Sequence, residues 1–332
     1  MSPVSSPLRR AAAVASATAL VGTLAACGGS EGDPAAYPED SISMIVPFSA
    51  GGPTDTVTRL IAEPMGEDLG QQVLVNNVEG AGGTVGASEA AAADPDGYTV
   101  LMHHIGMSTA PALYSDLDYA PLEDFKTVGL VTEVPMTIIA RPDFEPETID
   151  DLVTYVKDNA DSINLAHAGV GSASNLCGIL LQEALGVELN EVPYDGTGPA
   201  ITELVGGQVD LMCDQTTNTS TQIQGGEVKA YAVTSAERVE SLSDLPTTAE
   251  SGLDLEVTIW HGLYVPAETD DAIVDRLSQS LQVALEDETV ISEMNKLGTA
   301  PVSAEDATPE AHRAKLEEQI SLWGDLLEPA DG

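Results

Sequence analysis

The sequence predicts an α/β protein built from two lobes, each with a mostly parallel sheet flanked by helices. Strand-like and helix-like segments alternate after residue 40, which is typical of parallel sheets rather than of sandwiches or bundles. Without its first 26 residues the chain still has about 300 residues, more than one hydrophobic core usually holds. The proline-bearing stretches Arg141-Pro142 and Val265-Pro266 divide it further. If the C-terminal helices return to the first lobe, the lobes are 41–140 plus 265–332 and 141–264, with a hinge between them.

The individual elements follow from hydrophobic periodicity and from turn residues. The strand candidates are 42–48, 73–76, 99–102, 128–132, 137–140, 164–167, 210–213, 229–234 and 262–265. The helix candidates are 54–69, 84–93, 149–159, 174–185, 199–205, 270–286 and 309–327. The last helix has Thr308 as its cap and Pro309 at its first position, where the missing N–H of proline costs nothing.

The N-terminus has the pattern of an export signal. Arg9 and Arg10 precede an Ala-rich apolar run, and Leu24-Ala25-Ala26-Cys27 follows it, so we expect a signal peptide over 1–26. This ending resembles a bacterial lipobox, which predicts lipidation of Cys27, a tether over 27–40 and a location on the outer face of the cell membrane. The alternative is an ordinary signal peptide with a chance Cys. No later segment has the apolar length needed to span a bilayer.

Acidic residues dominate the charge of the chain. It has 12 Lys plus Arg against 54 Asp plus Glu, a formal net charge of −42. Such a field repels nucleic acid and anionic lipid, so nucleic-acid binding is excluded and any membrane contact is expected through the lipid alone. The acidic residues are spread along the chain, which indicates a solvated surface rather than a binding site.

The strand-to-helix segment 45–55 is the most informative local feature. It reads Ile-Val-Pro-Phe-Ser-Ala-Gly-Gly-Pro-Thr-Asp, so a buried strand leads through a Gly pair to the capping residues Thr54 and Asp55. Free backbone N–H groups and the helix dipole both stabilise an anion at such a helix start. The sequence leaves open the alternative that Gly51 and Gly52 only turn the chain and that Thr54 only caps the helix.

A second segment of the same kind spans 164–174. A strand is followed by Gly169, Gly171, Ser172 and Ser174, and then by an apolar helix. Two helix N-termini that can each bind an anion lie in different halves of the chain, which predicts a ligand held from both sides. A third Gly-rich loop, 79–86, lacks the Gly-Lys-Ser/Thr of a phosphate loop and is expected to turn into a helix at the rim of the cleft.

No catalytic or metal-binding pattern in the sequence is both complete and suitably placed. The Gly-x-Ser-x-Gly at 28–32 lies in the tether and is no nucleophile elbow, and the pair His103-His104 has no third ligand at helical spacing. We therefore expect no metal and no organic cofactor. If Cys27 carries lipid, Cys177 and Cys213 remain as a pair in an oxidising compartment, and a disulfide is preferred over two small buried apolar residues.

The chain resembles the substrate-binding components of tripartite tricarboxylate transporters, the Bug family, from about residue 42 to residue 323. Segments in the family's order include 45–55 with Arg59, 75–86, 96–99, 168–172, 192–196, 206–210, 246–252 and 260–262. The segments around Cys177 and Cys213 are similar to members with a paired Cys. Pro53 in place of a small polar residue and the extreme acidity depart from the pattern.

The resemblance also implies a ligand site. A carboxylate of the ligand would meet N–H groups and hydroxyls of the loops 48–55 and 169–174, with Asp55 fixing the first loop or bridging through water. The distal end of the ligand would meet His104. The expected ligand-binding residues are Phe48, Ser49, Gly51, Gly52, Thr54, Asp55, His104, Ala168, Gly169, Val170, Gly171, Ser172, Ser174, Asp195, Gly196 and Asp214. The loops 48–55 and 169–174 contain no Lys or Arg. Helix dipoles and backbone N–H groups must therefore neutralise most of the negative charge of the ligand.

The resemblance implies a type II periplasmic-binding-protein-like (Venus flytrap) fold and a monomeric extracytoplasmic solute-binding protein. It would capture a small carboxylate (a di- or tricarboxylate, an aromatic acid or an acidic amino acid) for the membrane subunits of a tripartite tricarboxylate transporter. Two alternatives remain: a ligand-sensing component of a signalling system, and an enzyme acting on carboxylic acids. The missing acid–base set argues against the enzyme, although fold alone does not exclude it.

Overall fold

Nine strands and ten helices follow one another along residues 37–327, the part of the chain that this computed structural model describes. The strands are β1 (Ile42–Val46), β2 (Val73–Asn77), β3 (Thr99–His104), β4 (Phe125–Ala140), β5 (Asn164–His167), β6 (Asn190–Pro193), β7 (Leu211–Gln215), β8 (Lys229–Val233) and β9 (Thr258–Pro266). The helices are α1 (Pro53–Leu69), α2 (Thr84–Ala91), α3 (Gly106–Leu113), α4 (Ile149–Asn159), α5 (Ala173–Leu185), α6 (Thr197–Val205), α7 (Thr216–Gly225), α8 (Asp271–Leu285), α9 (Glu288–Lys296) and α10 (Pro309–Leu327). The predicted signal peptide, Cys27 and most of the tether lie outside these residues.

The strands form two groups that share the long strand β4. The order along the sheet is β2-β1-β3-β9-β4-β7-β5-β6, and β8 also pairs with β4. Residues 125–135 of β4 pair with β9, whereas Met136–Ala140 pair with β7 and Thr137–Ala140 also pair with β8. The pairs of β1 with β2 and β3, and of β5 with β6 and β7, are parallel; the pairs made by β4 and β9 are antiparallel. The fold is therefore α/β with two lobes, as the sequence predicts.

Sequence and structure differ within β4. The segments 128–132 and 137–140 are predicted as separate strands, and this is wrong because one strand runs through both. Pro135 interrupts the sequence pattern because it has no N–H for a ladder bond. It sits opposite Thr258 at the last β9 pairing, directly before Met136 changes partner to β7, so the missing donor falls where the two ladders meet.

The C-terminal helices α8 and α10 pack against elements of the first part of the chain. Leu277 and Leu281 of α8 are fully buried in one cluster with Val57 and Ile61 of α1. Their spacing of four residues puts both side chains on one face of α8, and burial of that face drives the contact. The return of the chain to its first part agrees with the expected course, while the lobe boundaries 41–140 plus 265–332 and 141–264 stay a prediction.

The predicted disulfide is confirmed. Cys177 of α5 and Cys213 of β7 are bonded, with their Cα atoms 5.8 Å apart. The bond joins α5, which begins at the cavity described below, to β7, which ends at that cavity. Among residues 37–327, no helix is both long enough and apolar enough to cross a bilayer.

Candidate ligand-binding site

At the corner between β1 and α1, the helix begins at Pro53, one residue earlier than the sequence predicts. Gly52 is the N-cap, with extended backbone and no side-chain cap, and Pro53 occupies the first helical position. The expectation that Thr54 caps the helix is therefore wrong, and Thr54 and Asp55 lie in the first turn. The N–H groups of this turn have no intrahelical acceptor, as at any helix start.

Asp55 holds this corner together. Its Oδ2 accepts hydrogen bonds from the N–H of Gly51 and from Nε of Arg59, each at 2.8 Å, and its Oδ1 accepts from Nδ2 of Asn77 at 2.9 Å. Asn77 also donates to the carbonyl of Phe48 at 2.9 Å. Burial alone would raise the pKa of Asp55, but the donors around it outweigh burial and hold that pKa below its ordinary value. An ionised, fully occupied carboxylate thus fixes the loop.

The corner between β5 and α5 is fixed by hydroxyl groups. Ser172 is the N-cap of α5: its Oγ accepts from the N–H of Asn175 at 3.2 Å and donates to the carbonyl of Gly169 at 2.6 Å. Oγ of Ser174 accepts from the N–H of Ala168 at 2.8 Å. The proton of Ser172 is therefore used within the loop, and Ser174 in turn donates its proton to Oγ of Ser172 at 3.1 Å.

The two corners face a common cavity of about 600 Å³. Thirteen of the sixteen expected residues line it: Phe48, Ser49, Gly52, Thr54, His104, Ala168, Gly169, Val170, Ser172, Ser174, Asp195, Gly196 and Asp214. Gly51, Asp55 and Gly171 do not line it. The N–H groups of Gly51 and Gly171 are instead bound by the side chains of Asp55 and Asn175. The structure thus brings the expected segments together, while their role in binding stays a prediction.

Residues that the sequence did not single out as ligand-binding also line the cavity. They are Pro47, Pro53, Tyr114, Ala173, Tyr194, Thr197 and Gln215, together with the segment 79–83, which was expected at the rim. Tyr194 and Gln215 each neighbour an expected residue, so adjacency in the sequence could have found them. Tyr114 follows a helix that the periodicity did not predict, and no signal marked it.

Close approaches join the walls of the cavity. The hydroxyl of Tyr114 donates to the carbonyl of Val170 at 2.9 Å. Gly196 has a φ of +103°, and a Cβ there would lie 2.5 Å from Oγ of Ser49, so only glycine suits this position. A Cβ on Gly82 would likewise lie 2.2 Å from the carbonyl oxygen of Val170. The loops that follow β1 and β2 therefore closely approach the loops that follow β5 and β6.

Three buried histidines lie behind the first corner. The ring of His104 stacks on Phe48 with centroids 4.2 Å apart, and its Nδ1 accepts from the N–H of Gly106 at 2.8 Å. Burial holds the pKa of His104 well below its ordinary value, so the ring is neutral. Because Nδ1 accepts, the ring proton must sit on Nε2. His104 thus gives the cavity wall an uncharged N–H donor.

The hydroxyl of Thr54 is directed by His261. Nδ1 of His261 lies 3.2 Å from the carbonyl of Ile259, so this nitrogen carries the proton and Nε2 accepts from Thr54 Oγ1 at 3.1 Å. Burial lowers the pKa of His261 to about 3, which keeps the ring neutral. The Thr54 hydroxyl proton is therefore occupied, and its oxygen is left to accept from the cavity side.

The charge of the cavity wall is negative. Its charged side chains are Glu79, Asp195 and Asp214, and no Lys or Arg is among the described residues that line it. Asp214 is 1% exposed, and its Oδ2 accepts from Nδ2 of Asn218 at 2.7 Å. Burial raises the pKa of Asp214 to about 7, although the hydrogen bonds from Asn218 and from the Gln215 N–H oppose this. No cluster of three metal-binding side chains occurs among residues 37–327.

A two-lobed α/β fold with a cavity lined from both lobes defines a protein of the periplasmic-binding-protein type. The family model "Tripartite tricarboxylate transporter family receptor" matches residues 57–329. The chain belongs to this family. It is 51% identical over 295 residues to a UPF0065 protein in the TAR-I ttuE-ttuC' intergenic region of Agrobacterium vitis, covering 89% of this chain and 85% of the relative.

Two solved structures share the fold over nearly their whole length. The periplasmic binding protein BugD is 53% identical with a TM-score of 0.85, and the match covers 88% of this chain and 98% of BugD. MatC from Rhodopseudomonas palustris, solved with bound malate, is 40% identical with a TM-score of 0.84, covering 88% of this chain and all of that one. These likenesses confirm the resemblance to the Bug family and the two-lobed fold.

Proposed function

We propose that this protein is an extracytoplasmic receptor that captures a small carboxylate for a tripartite tricarboxylate-type transporter. The observation that carries the proposal is the cavity itself, where the starts of α1 and α5 meet from two lobes. MatC, a relative with the same fold, binds malate. The ligand class is a dicarboxylate, tricarboxylate, aromatic acid or acidic amino acid.

Backbone dipoles supply the positive potential of the site. A helix start carries about half an elementary charge and several free N–H groups, so two converging starts can neutralise one carboxylate. The wall adds Nε2–H of His104 as an uncharged donor. Enclosure in a low-dielectric cavity strengthens each of these interactions.

Closure of the two lobes around the ligand would complete the capture. We place the lobes at 41–140 plus 265–332 and at 141–264, so β4 crosses between them. A ligand bridging both corners favours the closed form because it contacts both walls only there. The sequence at 24–27 supports a lipid on Cys27 that would keep the protein beside its membrane partners on the outer face of the membrane.

A thermal-shift screen followed by calorimetry tests the proposal. Dicarboxylates, tricarboxylates, aromatic acids and acidic amino acids are compared with their uncharged amides. At 100 times its dissociation constant, a true ligand stabilises the folded state by about 2.7 kcal/mol. We expect at least one acid to do so and its amide to have no effect. Equal stabilisation by the amide, or none by any acid, would refute carboxylate capture.

The same samples distinguish a receptor from an enzyme. Protein and ligand are incubated, the ligand is released by denaturation, and its NMR spectrum is compared with that of the starting acid. We expect the ligand to be recovered unchanged. Time-dependent conversion that is proportional to protein concentration would instead establish catalysis.

A further inference from the structure

Asp214 is an acidic residue in the wall of the cavity for which we propose an anionic ligand. It lies in the fully buried strand β7 beside the disulfide residue Cys213 and is 1% exposed. Nδ2 of Asn218 donates to its Oδ2 at 2.7 Å. Thr137 donates to the backbone carbonyl of Asp214 and not to the side chain. In the described part of the chain, Asn218 is thus the one side-chain donor that reaches this carboxyl group.

The surroundings offer Asp214 no counter-charge. Other titratable side chains that line the cavity are Glu79, His104, Tyr114, Tyr194 and Asp195. The elements packed against β7 are β4, β5, α5, α6 and α7, and their titratable side chains are Lys126, Glu133, His167, Glu183 and Glu203. None of these donates a hydrogen bond to Asp214, His104 is neutral, and Lys126 and Glu133 lie on the half of β4 that pairs with β9.

An ionised Asp214 and an anionic ligand would repel each other in this enclosure. The repulsion between two like charges grows as water is removed from between them. A protonated Asp214 carries no charge and adds an O–H donor to the wall. Burial already raises the pKa of Asp214 to about 7, so protonation is reached near neutral pH, and a nearby anion raises that pKa further.

We propose that Asp214 takes up one proton from solvent when the carboxylate ligand enters the cavity and donates it in a hydrogen bond to that ligand. This inference rests on the proposed function. One O–H bond forms on Asp214 and no other covalent bond changes. Binding and protonation are then linked, so acid tightens ligand binding by the same factor by which ligand favours protonation.

Calorimetry with malate, the ligand of the relative MatC, measures the linkage. Both carboxyl groups of malate are ionised between about pH 6 and 9, so they take up no proton there. We expect a nearly constant dissociation constant below about pH 6 and a rise of up to about tenfold per pH unit above pH 7. Titrations at pH 8 in phosphate and in Tris, which differ in ionisation enthalpy, should show uptake approaching one proton.

Two substitutions locate the proton. Asp214→Asn keeps the shape, because its Oδ1 can accept from Asn218 while its Nδ2 donates into the cavity. We expect this variant to show no proton uptake and, at pH 8.5, to bind malate about tenfold or more tighter than the wild type. Glu203→Gln is the matched control, since it removes an acidic group from α6, which packs against β7, without changing the lining of the cavity. Proton uptake should persist in it.

The outcomes separate this inference from the proposed function. If malate and every other acid of the screen fail to bind at any pH, the proposed function is wrong. If malate binds without proton uptake, or if Asp214→Asn retains the uptake, only the role of Asp214 is wrong.

A measurement without ligand adds a second test. The side-chain carboxyl ¹³C signal of Asp214, assigned by its loss in Asp214→Asn, should titrate near pH 7 in the free protein and higher with malate. Titration below about pH 5 in both states would overturn the inference.

Discussion

The hydroxyl of Tyr114 donates a hydrogen bond to the carbonyl of Val170 at 2.9 Å. Tyr114 directly follows α3 in the first part of the chain, and Val170 lies in the loop before α5. Both residues line the cavity. This bond therefore joins the two walls of the cavity.

Removing this hydroxyl should shorten the lifetime of the complex. A net hydrogen bond contributes about 0.5–1.5 kcal/mol, so Tyr114→Phe should speed ligand dissociation about 2- to 10-fold in stopped-flow experiments. The association rate should change little, because most interface changes act on dissociation. The control is Tyr155→Phe on α4, which removes a hydroxyl that bonds to no described group. Equal dissociation rates for wild type and Tyr114→Phe would mean that this bond does not hold the cavity closed.

Loss of the disulfide should reduce stability. Cys177 and Cys213 are 36 residues apart, and a disulfide typically contributes about 2–4 kcal/mol, with the chain-entropy model giving about 4 kcal/mol for a loop of this length. We expect the double variant Cys177→Ser/Cys213→Ser to lose about this much free energy of unfolding in guanidinium titrations. A reductant should lower the stability of the wild type and leave the variant unchanged. If the reductant destabilises both equally, the bond is not the cause.

Asp55 should stabilise the fold in a pH-dependent way. Its donors hold its pKa below the ordinary value, so its contribution is fully present above the unfolded pKa of about 3.9 and is lost as the pH falls through the folded pKa. Asp55→Asn should lower the free energy of unfolding at pH 7 by about 1–3 kcal/mol, because buried donors lose a charged acceptor. Urea titrations from pH 7 to 2 should show this difference shrinking in acid. Asp254→Asn, an exposed residue without a described partner, should show no such difference.

How much of the fold could be predicted depends on hydrophobic periodicity. Helix α4 was predicted with its observed ends because Thr148 and Asp151 form a capping box before a regular apolar face. Strand β6 and helix α9 were missed, and so were helices α3 and α7. Helix α3 contains Pro111, and α7 is rich in Thr, Ser and Asn, so neither of these two shows an apolar stripe and tertiary contacts decide their state.

The candidate site was predictable where it depends on turn chemistry. The glycine and hydroxyl segments at both corners indicated helix starts, and both corners lie at the cavity. The sequence did not predict which acceptor receives the hydroxyl proton of Thr54 or of Ser172. The acceptor is His261 for Thr54 and the Gly169 carbonyl for Ser172, and the first of these partners is 207 residues away in the sequence. A sequence pattern supplies hydroxyls, but only the packed structure shows which still have a proton to give.

Ser49 provides the cleanest test of direct ligand contact. Its Oγ lines the cavity and bonds to no described group, so its proton is free for a ligand. A hydrogen bond to a charged group contributes about 1.5–3 kcal/mol, so Ser49→Ala should weaken carboxylate binding about tenfold or more in calorimetry. The free energy of unfolding should stay the same, because no bond within the protein is lost.

Ser172→Ala should behave in the opposite way. Its hydroxyl caps α5 and donates to Gly169, so the variant should lose about 1 kcal/mol of stability in urea titrations. Thr148→Ala is the matched control, because it removes a cap of the same kind from α4, which does not line the cavity. It should lose similar stability and bind the ligand as the wild type does. If Ser49→Ala binds as tightly as the wild type while Thr148→Ala binds more weakly, ligand affinity follows stability rather than contact, and the assignment of Ser49 as a donor is wrong.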